Sequence, residues 1–195
     1  YIGEEHLRRL KGVPGARTAA VAGRDAARTA ATAEKYAARA HADLAGLLGD
    51  ATVDVVVIAT PHTTHAELAI QALRAGKHVL LEKPVAHRLS QAREITRVWK
   101  EVRAAYPQLC YGVMFQERTQ PIWRLLRELM QKRVLGRLIR ATWINTSWYR
   151  TMAYYGTADW RATWAGEGGG LLINQAVHRL DLYGWLFGRP ERVRA

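Results

Sequence analysis

The chain has 195 residues, 49% hydrophobic and 24% charged, ordinary proportions for a soluble globular protein, with 29 lysines and arginines against 17 acids. A single cysteine, Cys110, set in an apolar stretch, rules out an internal disulfide, and no apolar run approaches the roughly 20 residues that span a bilayer, so the reading is a core-held protein suited to a reducing cytoplasm. The net charge of +12 does not make a nucleic-acid binder, because Arg8, Arg9, Arg28, Arg39, Arg74, Arg93 and Arg97 are scattered along alanine-rich helices without forming a basic block.

Tyr1–Lys11 reads as the tail of a helix. Thr18–Ala22 is a strand, and Ala26–Ala38 is an alanine-rich helix with Asp25 placed as its N-cap. A short strand near Ala40–Ala42 and a helix over Asp43–Leu48 follow. Val53–Ala59 is apolar at every position except Asp54, the pattern of a strand buried on both faces. Helix Thr64–Ala75 ends at Gly76, a C-cap residue. The strand Lys77–Leu81, the helix Ser90–Ala105 and the strand Leu109–Phe115 complete the series. Such alternation predicts parallel strands in a doubly wound α/β sheet over residues 1–116.

The pattern changes after Phe115, so residues 117–195 are expected to begin a second, α+β domain. Thr119–Lys132 reads as a helix with Ile122, Leu125, Leu126 and Leu129 on one stripe, and Arg137–Trp148 as a long strand. Tyr149–Gly170 has no clean period and reads as a loop. Asn174–Phe187 reads as a helix closed by Gly188 and Pro190.

Two constellations carry chemistry. An apolar strand that finishes on Glu82-Lys83-Pro84 places two opposite charges at the carboxyl edge of a parallel sheet, where such sheets bind ligands. The plain structural alternative is a surface ion pair. The second constellation runs from Gly168 to Asp181: three glycines that permit close backbone approach, then Asn174, His178 and Asp181 spaced i, i+4, i+7 along one expected helix face. A histidine exchanges protons near neutral pH, whereas the Asn174 amide can orient a hydroxyl but cannot act as a base. Asp181 is read as holding the histidine or the helix. No third ligand accompanies this histidine and aspartate, so no metal site is expected.

These two motifs resemble the signatures of the Gfo/Idh/MocA oxidoreductases, the glucose–fructose oxidoreductase and inositol dehydrogenase family. The resemblance implies a Rossmann-type first domain followed by a substrate domain. It implies that Lys83 is catalytic, that Glu82 approaches the cofactor ribose, that the Lys83–Pro84 bond is cis, and that Thr60, Pro61 and His65 lie near the cofactor. His178 would work with Lys83 in proton transfer, and Asn174 stands where many relatives carry an aspartate. The aromatic and arginine segment between the motifs offers Tyr149, Arg150, Tyr154 and Trp160 as weaker substrate contacts, with cover for a sheet or an oligomer interface as the alternative. The expected partners are a sugar or polyol and, for a complete protein, further copies of itself, with no nucleic acid and no membrane.

In a dinucleotide fold the end of the second strand reads the adenosine ribose. Gly23 stands where an NAD-specific acid is usual and Arg24 follows, which favours NADP(H) over NAD(H); Asp25 is the alternative ribose contact. No G-x-G-x-x-G precedes that strand, so the first strand and its glycine loop are expected to be missing and the chain is expected to be truncated at both ends. The implied reaction is hydride transfer between a nicotinamide and a secondary hydroxyl of a sugar, inositol or related polyol. A glycosidase using bound NAD on the same scaffold, or a binding protein without turnover, are the alternatives.

Overall fold

Helix and strand alternate through the first half of the chain, as the apolar runs require. The computed structural model describes residues 2–146 and 149–194, so Trp148 lies outside the described residues. The chain divides into two units, Tyr1–Met114 and Phe115–Ala195. In the first, the order is α1 (Ile2–Leu10), β1 (Ala20–Ala22), α2 (Ala26–Lys35), β2 (Arg39–His41), α3 (Leu44–Gly49), β3 (Val55–Ile58), α4 (His65–Arg74), β4 (His78–Leu81), α5 (Leu89–Ala105) and β5 (Tyr111–Val113). Local chemistry sets the boundaries. The Asp25 carboxylate accepts from the Arg28 amide at 3.0 Å and Asp43 caps α3 through the Gly46 amide at 2.8 Å. Gly76, with φ +71°, turns the chain out of α4 in a backbone conformation that a side chain would strain.

All strand pairs are parallel, in two pieces ordered β1-β2 and β3-β4-β5. No strand joins β1 to β3 among the described residues. One core serves both pieces: Val56, Ile58, Ala69, Leu73, Leu81, Ile95 and Val98 are buried together, and Ala19 and Ala20 pack against them. The expectation that β3 is buried on both faces needs correction. Val56 and Ile58 are 6% and 3% exposed, but Val55 and Val57 are 52% and 41% exposed. One face of β3 is buried in the core with α4, and the other is only partly covered by the described residues. Cys110 is likewise exposed rather than embedded in its apolar stretch.

The second unit is helical among the described residues. A 3-10 turn at Gln116–Thr119 leads into α6 (Pro121–Gln131), where Pro121 takes the first position, which needs no backbone donor. On the expected apolar stripe of α6, Ile122 and Leu125 remain 59% and 51% exposed. The strand expected over Arg137–Trp148 is not formed at residues 137–146. β-Branched and aromatic residues favour an extended chain, but a strand exists only against a partner, and no described residue of this unit supplies one. The expected loop at Tyr149–Gly170 instead contains two single-turn helices, α7 (Met152–Tyr155) and α8 (Trp164–Glu167), started by the hydroxyls of Thr151 and Thr163. Next come α9 (Leu171–Asn174) and α10 (Val177–Phe187), the latter closed by Gly188 at φ +87°.

Candidate functional site

Strands β3 and β4 end side by side, so the turns that follow them are brought together. Thr60, at the first turn, is exposed, and its hydroxyl lies 2.7 Å from that of Thr64; Pro61 precedes a 3-10 turn at His62–Thr64. His65 opens α4 and is fully buried. Its Nδ1 lies 2.7 Å from the Pro84 carbonyl and its Nε2 3.0 Å from the Thr60 carbonyl. The ring therefore ties the two strand-end turns to each other, and a buried ring so held presents no edge to a ligand. Pro84 is buried and the Lys83–Pro84 bond is cis.

Glu82 is 8% exposed, and both of its oxygens are engaged. His6 Nε2 sits 2.7 Å from Oε1, and the Lys83 amide donates to Oε2 at 3.1 Å. Burial pushes this carboxyl up, but the hydrogen bond and charge of His6, followed by the Lys83 amide and ammonium, hold it below its ordinary value. Glu82 thus links α1 to the backbone of Lys83, whose side chain is half-buried. His6 was not found by sequence reasoning. It stands 76 residues from Glu82, and no local period pairs the two.

At the end of β1, a side-chain carbon at Gly23 would lie 2.8 Å from the Thr29 hydroxyl oxygen, so a larger residue here requires that hydroxyl to move. Arg24 is exposed and makes no hydrogen bond or ion pair among the described residues, while the Asp25 carboxylate is engaged as the cap of α2.

In the second unit the structure divides what the sequence placed on one helix. Asn174 is the last residue of α9, and His178 and Asp181 lie on α10. The break arises because the amides of both Gln175 and Ala176 bond to the Leu171 carbonyl, at 3.0 and 2.7 Å, which shifts the helical register. The His178 ring packs edge-on against Phe115 with centroids 6.1 Å apart. Asp181 is held by the Arg118 guanidinium through two hydrogen bonds, one of 2.7 Å, and so fixes α10 to the turn before α6.

Glu167, also missed by sequence reasoning, is 5% exposed and accepts from Asn174 Nδ2 at 2.5 Å. An acid directly before a glycine run was the available signal. Both residues line a cavity of about 380 Å³ together with Arg150, Tyr154, Trp164 and Gln175. Arg150 and Arg161 each place a guanidinium 4.3 Å from the centre of the Tyr154 ring. Of the other aromatic candidates, Tyr149 is 85% exposed, and Trp160 carries the Arg161 guanidinium 4.7 Å from its ring centre; neither lines the cavity. Among the described residues no group of three histidine, cysteine or acidic side chains is placed to hold a metal, and no helix is long and apolar enough to cross a membrane.

Two family models match the chain. The oxidoreductase family with an NAD-binding Rossmann fold matches residues 1–106, and the GFO/IDH/MocA C-terminal domain matches residues 123–195. An inositol 2-dehydrogenase of Saccharopolyspora erythraea is 38% identical over 192 residues, which are 96% of this chain and 51% of that protein. Among solved structures, the WlbA dehydrogenase of Chromobacterium violaceum, in complex with NADH and UDP-GlcNAcA, superposes with a TM-score of 0.82 at 31% identity. That match covers 96% of this chain and 52% of the other. GenD2 from gentamicin A biosynthesis, in complex with NAD, gives 0.78 at 27% identity, covering 97% and 52%. The chain spans about half the length of the relatives it matches.

Proposed function

We propose, since the chain belongs to the Gfo/Idh/MocA oxidoreductase family, that its protein moves a hydride between a nicotinamide and a secondary hydroxyl of a sugar, inositol or related polyol. The observation that carries this reading is the turn after β4, where the backbone of half-buried Lys83 is pinned from two sides, by Glu82 with His6 and by Pro84 with His65. A lysine held in this way at the carboxyl edge of a parallel sheet suits catalysis better than a surface ion pair.

When bound, the nicotinamide accepts or donates the hydride. The residues of this chain supply the rest. In the oxidative direction the substrate C–H bond gives up the hydride while the hydroxyl gives up its proton, leaving a ketone. His178 takes that proton on a ring nitrogen, and the Lys83 ammonium stabilises the oxygen as negative charge builds on it. Asn174 orients the hydroxyl without titrating. Thr60, Pro61 and Glu82 border the cofactor, and His65 serves it indirectly, by fixing the turns. Tyr149, Arg150, Tyr154 and Trp160 are the weaker substrate contacts of the same proposal, which extends to assembly of the complete protein into a homo-oligomer.

The fold is of the NAD-binding type. NADP(H) is the proposed preference, supported by a glycine in place of an acid at position 23 and by the exposed guanidinium of Arg24. Titration with NADPH and NADH tests it; tighter NADH binding would move the ribose contact to Asp25. In the complete protein, Lys83→Ala and His178→Ala should each lower kcat by roughly 10²–10⁴-fold with cofactor affinity largely kept. Near-normal turnover in either variant removes the role given to that residue.

A further inference from the structure

Gly23 follows the last residue of β1, and its backbone lies outside the left-handed region that calls for glycine. What limits the position is one contact. A side-chain carbon there would lie 2.8 Å from the hydroxyl oxygen of Thr29, closer than packed atoms approach. Chain neighbours aside, no other heavy atom of the described residues comes within 4 Å of that carbon, and Gly23 is otherwise exposed. Thr29 is 8% exposed on α2, and two bonds hold it to Asp25: its amide donates to the Asp25 carbonyl at 2.9 Å and its hydroxyl to the same oxygen at 2.7 Å. Turning the hydroxyl away gives up the second bond, and a β-branched residue on a helix has few other rotamers. Such a bond is ordinary for a helical threonine; here the bonded hydroxyl also guards the end of the strand before the helix.

We propose that Thr29 is a specificity-determining residue for the coenzyme. Its hydroxyl opposes a side chain at position 23, and with it the carboxylate that would accept from a ribose 2′-hydroxyl at the end of this strand. Recognition at this edge then falls to Arg24, whose exposed guanidinium suits a 2′-phosphate. The inference rests on the NADP(H) reading and adds a residue to it: the coenzyme is chosen by positions 23 and 29 together, not by position 23 alone. Thr29 touches no coenzyme in this scheme. It acts through what it permits at position 23.

Two measurements test the pair. Hydrogen exchange of the Arg39 amide, bonded to the Ala19 carbonyl, reads the fit at the end of β1 without any ligand. Gly23→Ala should speed this exchange roughly fivefold or more in the parent, as overpacking does, and much less in a chain that also carries Thr29→Ala. An equal effect on both backgrounds, or none on either, overturns the steric link. Titration of the complete protein with NADH and NADPH reads the specificity. Thr29→Ala alone should leave the ratio of the two affinities unchanged, and Gly23→Asp alone should gain little affinity for NADH. Together they should tighten NADH roughly tenfold or more, the worth of one hydrogen bond to a charged group, while NADPH weakens. The same NADH gain without Thr29→Ala, or no gain with it, overturns the role of Thr29. Tighter NADH binding by the parent refutes the NADP(H) reading itself, and is told apart because it shows before any substitution.

Discussion

Replacing His6 by alanine isolates the contact that ties α1 to the Lys83 turn. In the parent chain the His6 and Glu82 side chains are 17% and 10% exposed and 2.7 Å apart. The variant leaves Oε1 of a mostly buried carboxylate without this partner, while Oε2 keeps the Lys83 amide. A hydrogen bond to a charged group is worth about 1.5–3 kcal/mol, and the half of the carboxylate that stays satisfied argues against a larger loss. Hydrogen exchange confines the readout to the first unit. The amides of Glu82 and Met114, bonded to the carbonyls of Ile58 and Leu81, should exchange roughly tenfold to 150-fold faster than in the parent at neutral pH. The pH dependence carries a sign. The Glu82 pKa is lowered on folding, so its contribution is present above the ordinary carboxylate value and is lost as pH falls through the folded one. Without His6 the upward push of burial remains, and the ratio of variant to parent exchange should therefore shrink as pH falls through the ordinary carboxylate range toward the lowered pKa of the parent. Equal exchange in the two chains at neutral pH, or a ratio that does not change with pH, would refute this account.

Burial pushes the Tyr111 hydroxyl up to about 12, so the protein should lose stability as pH rises from about 10 to 12, and Tyr111→Phe should abolish that loss in alkaline unfolding curves. Because the Tyr111 hydroxyl has no hydrogen-bond partner within the chain among the described residues, the same variant should be at least as stable as the parent at pH 7. A side-chain carbon at Gly166 would lie 2.4 Å from the Trp160 carbonyl oxygen, so Gly166→Ala forces backbone apart and should cost about 1–3 kcal/mol or more in urea unfolding followed by tryptophan emission. Leu81, fully buried in the core, should cost about 2–5 kcal/mol when cut to alanine, seen as faster exchange throughout β3, β4 and β5.

What the sequence made legible was what neighbouring residues decide. The strands ending near Ile58 and Leu81 announce themselves as apolar runs, and Asp25, Asp43 and Gly76 mark their helix ends because a cap needs only residues three or four positions away. The features it concealed depend on distant partners. Val55 and Val57 have the composition of core residues, and only the neighbours of a strand decide which of its faces is covered. Residues 137–146 carry strand-forming side chains without a strand to meet. The 3.6-residue period from Asn174 to Asp181 is real, but one carbonyl, that of Leu171, accepting two amides is enough to break the helix that would express it. His6, without any signal of its own in the sequence, becomes informative only through its contact with Glu82.

The exposure along β3 also has a consequence for handling the protein. Val55–Ile58 forms the outer strand of the β3-β4-β5 piece, so one row of its backbone groups has no ladder partner among the described residues, and apolar side chains stand beside that row. An edge of this kind is a template for strand addition by another molecule, and neither proline nor lysine within the strand blunts it. Concentrated solutions of the chain should therefore form β-rich oligomers that grow with protein concentration and resist salt, since apolar contact and main-chain bonds drive them. Val57→Lys, at a position already 41% exposed, would leave the buried face intact while setting a charge where the incoming strand must lie.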